Sequence, residues 1–144
     1  MSPAHSNAAP CLTGYAPVFL VDDVRAAVDH YVSVLDFKQD FLWSDPPTYG
    51  GVSRDSVTLH FAIADKPGRL NSARSAGTTT RADLNLFVQG IHDLYRDLLE
   101  RGAKIDGPPV PQPYGMTTFH VDDPNGYRLC FGQETSTITR SEAA

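Results

Sequence analysis

Tyr15-Ala16-Pro17-Val18-Phe19-Leu20-Val21-Asp22-Asp23-Val24 is the stretch whose reading decides the fold. Its first seven residues form a short apolar run of β type. Asp22 or Asp23 then offers a carboxylate to the orphan amide protons of a first helical turn. Val24, Ala27, Val28, Tyr31 and Leu35 follow at steps of three and four, one face of an amphipathic helix. After the helix the period switches, and Phe37 to Trp43 reads as a strand closed by Asp45-Pro46-Pro47. A hairpin over Tyr49 to Ser53, a turn at Arg54-Asp55 and a strand over Val57 to Ala64 complete the unit.

The same order recurs downstream. Leu84 to Val88 reads as a strand, and Ile91 to Arg101 as a helix with Ile91, Leu94, Tyr95, Leu98 and Leu99 on one face. Gly102 stands where a left-handed cap is wanted. Lys104 to Asp106 starts a short strand, broken by Pro108, Pro109, Pro111 and Pro113. Met116 to Val121 and Tyr127 to Phe131 are strands joined by Asp122-Asp123-Pro124-Asn125-Gly126, with Asn-Gly as a hairpin signal. Val21 corresponds to Val88 and His60 to Cys130, offsets of 67 and 70 residues. The expectation is an α+β fold of two tandem βαβββ modules. Each alone is too small to bury its sheet, so the two pair. The boundaries read as a tail at 1–13 and a single domain over 14–134, with module 1 at about 14–65, a Gly/Ser/Thr-rich linker at 66–81 and module 2 at about 82–134. A second tail covers 135–144.

Composition narrows the function. At 144 residues the chain suits one domain, and a net charge of −5 with no basic run argues against a nucleic-acid partner. No window approaches the ~18 apolar residues of a membrane span, and residues 1–10 show no secretory signal. Two cysteines, Cys11 and Cys130, are too few for a disulfide scaffold. A reduced, cytoplasmic protein is the expectation.

Several stretches together resemble the glyoxalase/bleomycin-resistance/dioxygenase superfamily, the vicinal oxygen chelate (VOC) fold. They are Pro17 to Val24 with the helix ending Tyr31…Leu35-Asp36-Phe37, then Asp55-Ser56-Val57-Thr58-Leu59-His60-Phe61, then Leu94-Tyr95…Leu99…Gly102-Ala103. The most specific is Pro113-Tyr114-Gly115-Met116…Phe119…Asp122-Asp123-Pro124-Asn125-Gly126-Tyr127, similar to the signature of the bleomycin-resistance branch. The resemblance spans about Tyr15 to Glu134 and implies a curved mixed sheet around a cavity. It also implies a homodimer. It does not fix the activity, because the fold hosts isomerases, dioxygenases, thiol transferases and drug-sequestering proteins.

The family's metal positions fall at Ala16, His60, Asp83 and Cys130. Ala16 has no donor and Cys130 replaces the usual carboxylate, so no metal cofactor is the favoured expectation. The alternative is a divalent metal such as zinc on His60, Asp83 and Cys130, an acceptable trio with one open place. Strand alternation would turn Ala16, Val18, Leu20, Thr58, His60, Ala62, Asp83, Asn85, Phe87, Arg128 and Cys130 toward the cavity. Leu59, Phe61, Ile63, Leu84, Leu86 and Val88 would face the helices. Phe41, Trp43, Tyr49 and Tyr114 fall at the cavity mouth, with packing in the core as the alternative for Phe41 and Trp43. The expected ligand-binding set is Trp43, Tyr49, His60, Asp83, Asn85, Phe87, Tyr114, Arg128 and Cys130. His60 and Asp83 are also candidates for an acid–base pair. His30, His92 and His120 stand singly and receive no role.

Three functions follow. One is metal-independent sequestration of a drug-like, aromatic or cationic small molecule. A second is a metal-dependent lyase, isomerase or dioxygenase, and a third a metal-independent enzyme using His60 and Asp83. No nucleic-acid or membrane partner is expected.

Overall fold

The computed structural model describes residues 9–72 and 82–139. The outer parts of both expected tails and residues 73–81 of the expected linker lie outside the described residues. In chain order the elements are β1 (Val18–Val21), α1 (Val24–Ser33), β2 (Lys38–Trp43), β3 (Tyr49–Arg54) and β4 (Val57–Ile63). Then come β5 (Leu84–Phe87), α2 (Ile91–Glu100), β6 (Lys104–Ile105), β7 (Val110–Pro111), β8 (Met116–Asp122) and β9 (Arg128–Glu134). A 3-10 turn follows at Thr135–Thr137.

These elements form two mixed sheets, neither closed into a barrel. The first has the order β1-β4-β3-β2 and the second β5-β9-β8-β6, with β7 paired on β8. In both, the opening strand runs parallel to the last one, β1 to β4 and β5 to β9. The tandem α+β repeat expected from the sequence is therefore present. Asp23, rather than Asp22, caps α1, its carboxylate accepting the Ala26 amide at 3.0 Å. Asp22 instead takes the Gly68 amide at 2.8 Å. Gly102 adopts φ 88°, the left-handed conformation that ends α2. The proline-rich stretch departs from the expectation. Val110–Pro111 pairs with Thr117 and Thr118 as a two-residue edge strand, a place where a missing amide proton costs no ladder bond.

Both sheets turn one face to the helices and share one core. Phe19 and Tyr127, one from each half, stack at 4.0 Å with 8° between planes. The fully buried Tyr31 hydroxyl donates to Asp123 Oδ2 at 2.8 Å. Asp123 Oδ1 in turn accepts the Asn125 and Tyr127 amides, each at 2.9 Å, and so holds the β8–β9 turn. The Asp-Pro-Asn-Gly sequence thus does two jobs: it closes a hairpin and presents a carboxylate to the opposite half. Asn71 covers the edge of β1, its amide accepting from Leu20 N and donating to the Val18 carbonyl.

Alternation then sets what remains. Phe19, Val21, Leu59, Phe61, Leu86, Phe119, Val121, Leu129 and Phe131 are buried on the helix side. Val18, His60, Asn85, Phe87, His120, Arg128 and Cys130, at the intervening positions, face away from the helices. Ile63 differs from its expected core role and is 42% exposed at the end of β4. Each sheet therefore has an open face.

Candidate functional site

The open face of the first sheet carries an aromatic cluster around His60. The register sets Gly51 opposite His60 on β3 and Phe41 opposite Gly51 on β2. A register shift between Gln39 and Phe41 re-aims the end of β2. Phe41 stacks on Tyr49 at 5.9 Å and 15°, and meets His60 edge-on at 5.3 Å and 87°. The Tyr49 hydroxyl lies 2.9 Å from His60 Nδ1, which fixes the ring and leaves Nε2 for another group. Gly51 permits this. A Cβ there would sit 2.5 Å from Phe41 Cε1 and 3.1 Å from His60 Cδ2, so only glycine lets the two rings meet across the strand.

Phe41 is 38% and Trp43 66% exposed, so neither packs into the core. Phe41, Trp43, Thr48, Tyr49, Ala62 and Ile63 line a hollow of about 510 Å³, within the range of small-molecule sites. Flat rings and few polar atoms suit a planar or cationic ligand, because ring faces attract both.

The open face of the second sheet is polar. Cys130 lies opposite His120 on β8 and beside Asn85 on β5. Asp106 Oδ2 is 2.9 Å from His120 Nδ1, and Asp106 Oδ1 accepts the His120 amide at 2.9 Å. Asp122 receives Arg128 Nε at 2.8 Å and Nη2 at 3.2 Å, a two-pronged pair that pushes the guanidinium's pKa up. Burial, and after it the charge of Asp106, pushes the Cys130 thiol up. Phe87 stands 79% exposed at the end of β5.

His60 and Tyr49 are thus brought together, with Trp43 lining the same hollow; Asn85, Arg128 and Cys130 share the other sheet's open face. Asp83, considered as the partner of His60, has a carboxylate oxygen that accepts the Arg128 backbone amide at 2.8 Å, while His60 bonds Tyr49. Tyr114 is exposed on the turn before β8. Among the described residues no group of three His, Cys, Asp or Glu side chains could hold a metal ion. With Ala16 lacking a donor, the residues at the family's metal positions do not fit a metal within one chain. The pairing of His120 with Asp106 had no local signal. It joins residues 14 apart in the sequence, and only an aspartate directly after a two-residue strand could have hinted at it.

A larger groove of about 660 Å³ runs between the β3–β4 turn and the start of α2. Its floor is core, including Phe37, Leu86 and Phe131. Its rim carboxylates Asp93 and Asp97 are held by Arg96 and Arg101.

Two opened sheets, one a βαβββ unit and the other the same plan with an added two-residue edge strand, each with a helix-free face, define the class of fold. The sequence matches the Glyoxalase/Bleomycin resistance protein/Dioxygenase superfamily over residues 15–131, and the chain belongs to that superfamily. Among solved structures it is similar to a bleomycin-binding protein complexed with bleomycin, at 19% identity and TM-score 0.66, covering 85% of this chain and 98% of that one. It is similar also to the bleomycin-binding protein of bleomycin-producing Streptomyces verticillus complexed with copper(II)-bleomycin, at 22% identity and TM-score 0.63, covering 87% and 97%. A glyoxalase-related enzyme from Clostridium phytofermentans matches at 17% identity and TM-score 0.67, again covering 87% and 97%. At such identities the likeness carries the fold. Among curated proteins none matches. No helix among the described residues is long and apolar enough to cross a membrane.

Proposed function

We propose that this protein binds a planar aromatic or cationic small molecule on its open sheet faces and sequesters it without a metal, in the cytoplasm and as a homodimer. The observation that carries this is the Phe41–Tyr49–His60 cluster beside Trp43, kept open by Gly51. Such a surface is costly to leave in water, and Trp43 at 66% and Phe87 at 79% exposed are the residues a ligand or a second copy would cover. Superfamily membership and bleomycin-binding neighbours support the ligand class, and the net charge of −5 favours a cation over an anion.

Trp43 is the only tryptophan in the chain, so its fluorescence reports on this face alone. Titration with a bleomycin-type glycopeptide and with smaller planar cations should give saturable quenching at one ligand per chain. A flat response to the whole panel would contradict the proposal.

A further inference from the structure

The groove of about 660 Å³ shares no lining residue with the aromatic hollow of the first sheet, and its two walls come from different halves of the chain. The β3–β4 turn, Arg54 to Val57, forms one wall. The end of β5 and the first turns of α2 form the other. Its floor is apolar, made where Phe37, Leu86 and Phe131 of the shared core reach the surface. Its rim is acidic: Asp55, Asp93 and Asp97 line it against one guanidinium, that of Arg54. Arg54 is already engaged, its Nη1 donating to the Leu35 carbonyl at 3.0 Å and its Nε 3.9 Å from Asp55 Oδ2. Asp93 and Asp97 stand four residues apart, on one face of α2. Arg96 pairs with Asp93 Oδ1 and Arg101 with Asp97 Oδ2, and neither arginine lines the groove. Asp93 Oδ2 and Asp97 Oδ1 make no bond among the described residues. The N-terminus of α2, where an anion would otherwise settle, is taken as well. Gln133 Oε1 accepts the Gly90 and Ile91 amides at 3.1 and 3.0 Å.

We propose that this groove is a second ligand site, separate from the open faces, and that it takes an organic ammonium ion carrying an aromatic or branched apolar body. The volume falls within the range of small-molecule sites. The body displaces water from Phe37, Leu86 and Phe131, a gain that any apolar molecule of that size would share. The rim makes the selection. An ammonium donates charge-assisted hydrogen bonds to the free oxygens of Asp93 and Asp97, with Asp55 facing them from the opposite wall. An anion of the same shape meets three carboxylates, and a neutral analogue gains only the floor. Because the walls belong to both halves, an occupied groove ties the β3–β4 turn to α2 and stabilises the pairing of the halves by mass action.

The test titrates the full-length protein with dansylcadaverine, an aromatic body on a primary ammonium, and with its neutral N-acetylated form, following dye anisotropy. The cation should bind about tenfold more tightly than the neutral form, raise the melting temperature, and weaken with added salt. Asp55→Asn combined with Asp93→Asn removes two of the three carboxylates at exposed positions, and asparagine accepts the left-handed φ of 51° at position 55. In that variant the cation should fall to about the affinity of the neutral form, whose own binding stays unchanged. Ser56→Trp places a ring in the groove from the exposed turn and should weaken both dyes. Trp43→Ala should change neither. Equal affinities for the two dyes, full cation affinity in the double asparagine variant or in Ser56→Trp, or loss of the cation in Trp43→Ala would overturn the proposal. Trp43 quenching by open-face ligands is read separately, so either site can fail while the other stands.

Discussion

Gly51→Ala separates the site from the fold. The added methyl would stand 2.5 Å from Phe41 Cε1, closer than any packed structure tolerates, while Phe41 itself is 38% exposed on the edge strand β2. The ring can therefore swing into solvent rather than force the backbone apart. Two ring contacts are lost, the stack on Tyr49 and the edge contact with His60. At about 0.5–1.5 kcal/mol for each aromatic pair, that loss comes to about 1–3 kcal/mol. Replacing glycine inside a strand returns about 0.5–1 kcal/mol of backbone entropy. The net destabilisation is about 0.5–2 kcal/mol, which an ordinary domain survives. Ligand affinity should suffer more visibly, because the displaced ring fills or distorts the hollow it used to line. We expect a melting temperature lowered by a few degrees, an unchanged far-UV spectrum, and Trp43 quenching weakened at least tenfold. If Gly51→Ala binds like the parent, the cluster is not where ligands sit. If it unfolds, the argument from Phe41 mobility is wrong.

Other outcomes follow from the same contacts. Tyr31→Phe removes a buried hydrogen bond to the Asp123 carboxylate and should cost about 1.5–3 kcal/mol, a drop on the order of 5–10 °C by calorimetry, without touching either open face. His30 Nε2 is buried without a partner, and burial lowers the pKa of the ring. The unfolded chain then binds a proton more readily than the folded one. Stability should fall as the pH drops below the usual histidine range of about 6.5 and on through the lowered folded value, and His30→Gln should flatten that fall in melting scans. Trp43→Glu with Phe87→Glu places charge on both open faces and should convert a dimer to monomers in light-scattering chromatography. A dimeric mass in both proteins would place the contact elsewhere, and a monomeric parent would refute the proposed homodimer.

The repeat, the inward and outward alternation and most of the helix faces were legible because each is a property of neighbours along the chain; Leu99, read on the apolar face of α2, is instead 52% exposed, one position past the buried Leu98. Val24, Ala27, Val28 and Tyr31 are buried at the spacing read from the sequence, and Leu59, Phe61 and Leu86 at theirs. What escaped depends on register between strands. Tyr49, rather than Asp83, holds His60 because β3 and β4 pair with Tyr49 near it. Asp106 reaches His120 only once the two-residue β6 is laid against β8. The role of Gly51 is invisible without both strands that flank it. Pro111, read as a strand breaker, closes an edge instead, since proline's missing donor matters only where a partner waits for it.

The most direct test of the central claim is calorimetric titration of the protein and its Trp43→Ala variant with a bleomycin-type ligand. Loss of one stacking and cation–π surface, about 1–2 kcal/mol, should weaken binding roughly 5- to 30-fold in the variant. Saturable heat in the parent that fades to that extent in Trp43→Ala is the predicted result. Equal heats and affinities in both proteins, or no heat in either, would contradict ligand binding on the aromatic open face.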